Sequence, residues 1–242
     1  DIVRSSANNL IVRNDLPKDA EQGAIIAKYK PRADEVGNRI VGQVTGVLEQ
    51  KLTVAGESVV GNMIADAQLE ATKESSKGGA SIAFMNTGGI RGDIAPDSSQ
   101  NVNYRQLYTV QPFGGNLVTI TLTGEQIREL LEEQFQGYTN AQPHDRILQV
   151  SSGFSYTWDK SKPAGQKVDP NSIRLNGAVL DPKGQYRITV NSFLMTGGDN
   201  FTVLKQATNQ VGGDLDVEAL SGYIRKNSPL TPPKVGRITR KD

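Results

Sequence analysis

Apolar positions along this 242-residue chain repeat with two different spacings. A spacing of two marks strands, and a spacing of three to four marks helices. Arg39 to Val47 reads as a strand through Ile40, Val41 and Val44. Ser58 to Ser75 reads as a helix in which Val60, Met63, Ile64, Ala67 and Ala71 form one stripe and Ser58 is the N-cap. Ala80 to Met85 is a short buried strand. Leu117 to Leu122 alternates, with Val118, Ile120 and Leu122 on one face and Thr119 and Thr121 on the other. Thr123 and Gln126 then form a capping box. It opens a helix whose buried face is Ile127, Leu130, Leu131 and Phe135, and which Gly137 closes.

Further along, Ile147 to Val150 and Phe154 to Trp158 are strands around Ser151-Ser152-Gly153. Asn176-Gly177 joins residues 173–175 to 178–180 as a two-residue hairpin. Tyr186 to Val190 is a clean strand, Asp216 to Lys226 a helix with Val217, Leu220, Tyr223 and Ile224 inward, and Val235 to Thr239 a last strand. Ahead of Arg39 the pattern predicts a short strand at 8–12, a turn at 14–17, and a helix from Gln22 to Tyr29 that Pro31 interrupts. Tyr104 to Val110 reads as an extended run. These elements mix without regular βαβ alternation. The class is α/β in the broad sense, close to α+β: a mixed sheet with packed helices. The chain starts at Asp1 without a Met and reads as a piece of something longer. Residues 1–38 are expected to be a remnant of a preceding domain plus a connecting helix, and 39–242 the main domain. An ordinary N-terminal helix of the same domain is the plainer alternative for 1–38.

Charge narrows the partners. There are 27 basic and 26 acidic residues, so nothing favours nucleic acid or an anionic membrane surface. No apolar run approaches the roughly 18 residues of a transmembrane segment. Absence of cysteine excludes disulfides and thiolate catalysis. The single histidine, His144, leaves too few ligands for a zinc centre. It sits beside Asp145 in a Pro-flanked polar loop, and the chain has no Gly-x-Ser-x-Gly elbow for a Ser-His-Asp hydrolase. No metal-binding or catalytic residue is therefore expected within the chain.

Three glycine-rich loops, each read as following a strand or extended run, carry the candidate chemistry. Asn86 to Arg91 combines an amide, adjacent glycines with exposed N–H groups, and the Arg91 guanidinium, which suits phosphate or carboxylate. Gln111 to Gly115 sets Phe113 beside a glycine pair; taken alone, such a ring is more often core packing. Asn191 to Phe201 offers Phe193 and Asp199 around Gly197-Gly198. Two loop aromatics can sandwich a nucleobase, and a carboxylate can accept both hydroxyls of a ribose. The commoner role of Asp beside Gly is an Asx turn. Phe201 and Met195 read as core. Together the loops suit a nucleoside or nucleotide.

Gly61 to Ala67, Asn86 to Arg91, Gln111 to Gly115 and Asn191 to Phe201 occur in an order and spacing that resemble the C-terminal domain of the 5′-nucleotidase family. The resemblance covers roughly residues 38 to 240. It implies the C-terminal domain fold of a two-domain phosphohydrolase that is secreted, periplasmic or surface-anchored. It also implies that Phe113 and Phe193 clamp the base, Asp199 binds the ribose hydroxyls, Asn86 contacts base or sugar, Arg91 holds phosphate, and Gly89 and Gly115 line the site. In that family two divalent metal ions sit in a separate N-terminal metallophosphatase domain. Their Gly-Asn-His motif is absent here, since Gly37-Asn38 runs into Arg39 and Gly61-Asn62 into Met63. The fragment alone is thus expected to be inactive. Three departures stand out: no arginine near Gly56, Asn200 in place of a third glycine, and Gly115 in place of an asparagine. A binding-only recognition module remains the alternative reading.

Overall fold

The computed structural model describes all 242 residues. The elements follow in the order α1 (Ala20–Gly37), β1 (Ile40–Gln43), α2 (Val59–Thr72), β2 (Ile82–Met85), β3 (Asn101–Asn103), α3 (Tyr104–Val110), β4 (Asn116–Thr123), α4 (Gly124–Glu132), β5 (Gln149–Val150), β6 (Phe154–Asp159), β7 (Arg174–Leu175), β8 (Ala178–Val179), β9 (Gln185–Asn191), α5 (Ser192–Met195), β10 (Thr208–Leu215), α6 (Asp216–Lys226) and β11 (Ile238–Lys241).

A five-stranded mixed sheet, ordered β10-β4-β9-β2-β5, forms the centre. Strand β9 pairs antiparallel with β4 along its whole length and parallel with β2. Both faces of this sheet are covered, as the unbroken apolar run of β2 requires. On one side Ile82, Phe84, Ile120 and Ile188 pack with Ile127, Leu130 and Phe135 of α4 and with Tyr156 of β6. A second core joins Val60, Met63 and Ile64 of α2 to Leu107 of α3 and to Leu220 and Ile224 of α6. The threonine face of β4 is also buried. Thr119 and Thr189 hydroxyls meet at 3.0 Å, and Thr189 meets Thr72 of α2 at 2.6 Å, so these polar groups satisfy one another.

A smaller sheet runs β11-β6-β7-β8. Its hairpin turns through Asn176 and Gly177, both at positive φ, as a tight two-residue turn requires. The C-terminal strand is tied back to α2 by buried charge. Glu57 accepts from the Gly236 N–H at 2.6 Å and the Arg237 N–H at 3.0 Å. Arg237 forks onto Asp66 through two bonds of 2.7 Å and donates to the Val150 carbonyl at 2.8 Å.

Several expectations need correction. Residues 8–12 form no strand and are exposed. Helix α1 does not break at Pro31 but continues to Gly37. Asp19 caps its start, and Asp34 pairs with Arg105 near its end. Residues 104–110 are helix, not an extended run, because Asn103 and Gln106 close a capping box. Strand β10 was not anticipated, and the final strand starts at Ile238 rather than Val235.

Replacing Arg237 by Ala should destabilise the chain by about 3 kcal/mol, because Asp66 is left buried without its counter-charge, with only the Ser152 N–H at 2.6 Å still donating to it. Urea denaturation measures this. A change below about 1 kcal/mol, the level of an exposed ion pair, would mean that the contact is open to solvent.

Candidate ligand-binding site

Strands β2 and β9 run parallel and end side by side, at Met85 and Asn191. Leu117 of β4 lies opposite Asn191. The three glycine-rich loops therefore emerge at one edge of the sheet, beyond the carboxyl ends of its parallel strands, where open α/β sheets collect ligands. They enclose a cavity of ≈ 610 Å³. All seven candidate residues line it: Asn86, Gly89, Arg91, Phe113, Gly115, Phe193 and Asp199. So do Met85, Gly88, Asn191, Ser192, Thr196 and Asp216, none of which the motifs singled out for a role. The second loop follows helix α3, not a strand.

A chain of side-chain bonds locks the first and third loops together. Asn191 accepts the Leu194 N–H at 2.9 Å, which caps α5, and donates at 2.9 Å to the side-chain oxygen Oδ1 of Asn86. Asn86 in turn donates at 2.9 Å to Oδ2 of Asp199. Oδ1 of Asp199 pairs with Arg146. Asp199 is thus an acceptor held from two sides, and not the cap or Asx turn that is its commoner role. Its backbone and that of Asn200 both lie in the left-handed region, at φ 53° and 62°. Asp and Asn tolerate that region better than most residues, which accounts for Asn200 where a glycine also fits. Gly198 is required by contact: a Cβ there would fall 2.6 Å from the Phe193 ring.

Phe113 and Phe193 are 59% and 51% exposed, so both rings face the cavity and neither plugs the core. The aromatic pairs in contact, such as Phe84 with Phe154, are internal. Phe201 is fully buried and Met195 packs against the same core, as expected. The guanidinium of Arg91 lies 5.0 Å from the centre of the Phe113 ring, a cation–π distance. Arg91 is the only cationic side chain lining the cavity. Gly56 does not line it; its φ is +88°, and a Cβ would meet Ile147 at 2.5 Å.

Asp216, at the start of α6, is 4% exposed. Burial pushes its carboxyl up, although the Val217 N–H, 2.8 Å from Oδ1, opposes this. Arg146 and Asp216 were missed by sequence reasoning. Arg146 lies in the polar loop read only for His144, which is exposed. Asp216 sits in an amphipathic helix where an acid in the first turn is ordinary. No group of three or more His, Cys, Asp or Glu side chains is arranged to hold a metal ion.

Fold and cavity together define a mixed α/β domain with its candidate site outside the carboxyl ends of two parallel strands. Residues 40–206 match the family described as 5′-nucleotidase, C-terminal domain, and the chain belongs to that family. Endonuclease YhcR of Bacillus subtilis (strain 168) is 31% identical over 98% of this chain, which spans 18% of that protein. The 5′-nucleotidase of Bos taurus is 28% identical over 98% of the chain, which spans 43% of it. The solved 5′-nucleotidase precursor of Thermus thermophilus superposes with a TM-score of 0.75 and 31% identity, over 91% of this chain and 43% of that one. The chain thus spans less than half the length of each of these relatives.

Removing the Asn86 side chain strips a partner from both Asn191 and Asp199. Asn86→Ala should destabilise by roughly 1–3 kcal/mol. Asn86→Asp sets two carboxylates against each other, so its deficit should shrink as the pH is lowered and the pair takes up a shared proton. Denaturant unfolding at neutral and acid pH checks both. An unchanged stability in both variants would show that the bridge carries no energy.

Proposed function

We propose that this chain is the substrate-binding part of a two-domain hydrolase that removes phosphate from nucleoside phosphates. The observation that carries the reading is the meeting of two exposed rings, a fixed carboxylate and one guanidinium, from three separate loops, around one cavity of ≈ 610 Å³. In this reading Phe113 and Phe193 clamp the base. Asp199, oriented by Asn86 and Arg146, accepts hydrogen bonds from the ribose hydroxyls. Arg91 meets the phosphate, and Gly89 and Gly115 keep the walls close to the ligand. Membership of the family and relatives named 5′-nucleotidase support it.

The chain's own residues do not fit a two-metal centre, so no step of phosphate-ester cleavage is assigned to them. The chemistry belongs instead to a separate N-terminal domain carrying two divalent ions. Residues 1–38 belong with that domain and its connection, in keeping with the exposure of Ile25, Ile26 and Tyr29 on α1. An extracellular, periplasmic or surface-anchored setting fits a relative named snake venom 5′-nucleotidase. No helix is long and apolar enough to cross a membrane. No specific observation favours the binding-only alternative.

Calorimetric titration with adenosine and AMP tests the assignment. Phe113→Ala and Phe193→Ala should each weaken both ligands by roughly 1–3 kcal/mol, the worth of one base–ring stack. Arg91→Ala should weaken AMP more than adenosine. Wild-type affinity in both ring variants would exclude the clamp. The chain alone, supplied with Mn²⁺ or Zn²⁺, should release no phosphate from AMP. Turnover by homogeneous protein would overturn the division of labour.

A further inference from the structure

Asp216 is a buried carboxylate on the cavity wall that the proposed function leaves unused. Its two oxygens are not equivalent. Oδ1 accepts the Val217 N–H at 2.8 Å. Oδ2 accepts no hydrogen bond from the protein and lies 3.6 Å from the point where a Cβ on Gly115 would stand. Ser192 Oγ is 3.3 Å from that same point. Gly115 and Ser192 stand at the roots of the two rings, two residues after Phe113 and one before Phe193. A base inserted between those rings turns one edge toward this floor. The absence of a side chain at Gly115 leaves the path from that edge to Oδ2 open.

We propose that Asp216 is the specificity-determining residue for the base, selecting nucleobases that present an exocyclic amino group to its Oδ2. This rests on the reading of the cavity as a nucleoside clamp. An anionic acceptor with little water around it gains a hydrogen bond from an amino group and repels a bare ring nitrogen or carbonyl. Burial raises the affinity of the Asp216 carboxyl for a proton, against the backbone N–H groups that lower it, in keeping with little water around the group.

Adenosine and purine riboside differ only in the exocyclic amino group, so they isolate this contact. Calorimetry on the wild-type chain should show adenosine binding roughly tenfold or more tightly, the range of a bond to a charged acceptor. Asp216→Asn should then reverse the polarity of the floor. Its carbonyl oxygen stays with the Val217 N–H, and its NH₂ turns to the cavity. Purine riboside should bind this variant at least as well as adenosine. Equal binding of the two ligands to wild type overturns the role of Asp216, as does full retention of the preference in a folded variant. Because the wild-type comparison needs no variant, a fold defect in Asp216→Asn cannot mask the outcome. Binding of neither ligand to wild type overturns the nucleoside reading of the cavity, and this inference with it.

Discussion

The amide of Asn86 is the junction on which the candidate site depends. Its oxygen accepts from Asn191 and its nitrogen donates to Asp199. These partners lie more than a hundred residues away along the chain, so the two bonds convert remote segments into one wall. An amide buried to this degree is destabilising unless both ends are paired. The first and third loops therefore have one favourable spacing, and the Phe193 ring and the carboxylate inherit it. The supporting frame is β9, zipped to β4 on one side and β2 on the other. That frame is anchored by cores on either side of the sheet and cannot shift without opening one of them.

Backbone shape does the finer work. Asp199 and Asn200 hold the left-handed region, and Gly198 leaves the Phe193 ring lying against bare backbone. A ring supported in this way loses little freedom when a flat ligand arrives. That is the physical content of preorganisation. Arg146 acts behind the site: it engages Asp199 through the oxygen that Asn86 does not use and so restricts which lone pairs of the carboxylate remain for a ligand.

Much of the fold was legible. Helices α2, α4 and α6 and strands β2, β4 and β9 follow from periodicity, caps and glycine stops, because their burial is one-sided or continuous. The failures have physical causes. Helix α3 buries only Leu107 and Val110, too short a stripe to read, though its capping box was there to see. Strand β10 is an exposed edge carrying Gly212-Gly213, with no alternation of burial. Pro31 marks a local penalty, yet α1 runs through it to Gly37. Arg146 gave no signal, since a cation in a polar loop looks like any solvated surface charge.

By itself the sequence determined most of the local elements and the four ordered motifs that mark the family. These depend on residue type and on neighbours a few positions away. Only the tertiary structure decided that seven residues from three loops share one cavity, that Phe113 faces it instead of the core, and that Asp216 lines it. Those facts depend on strand order and on bonds between residues far apart in the chain. No local pattern encodes them, because residues more than a hundred positions apart, such as Asn86 and Asp199, meet only once the sheet has closed.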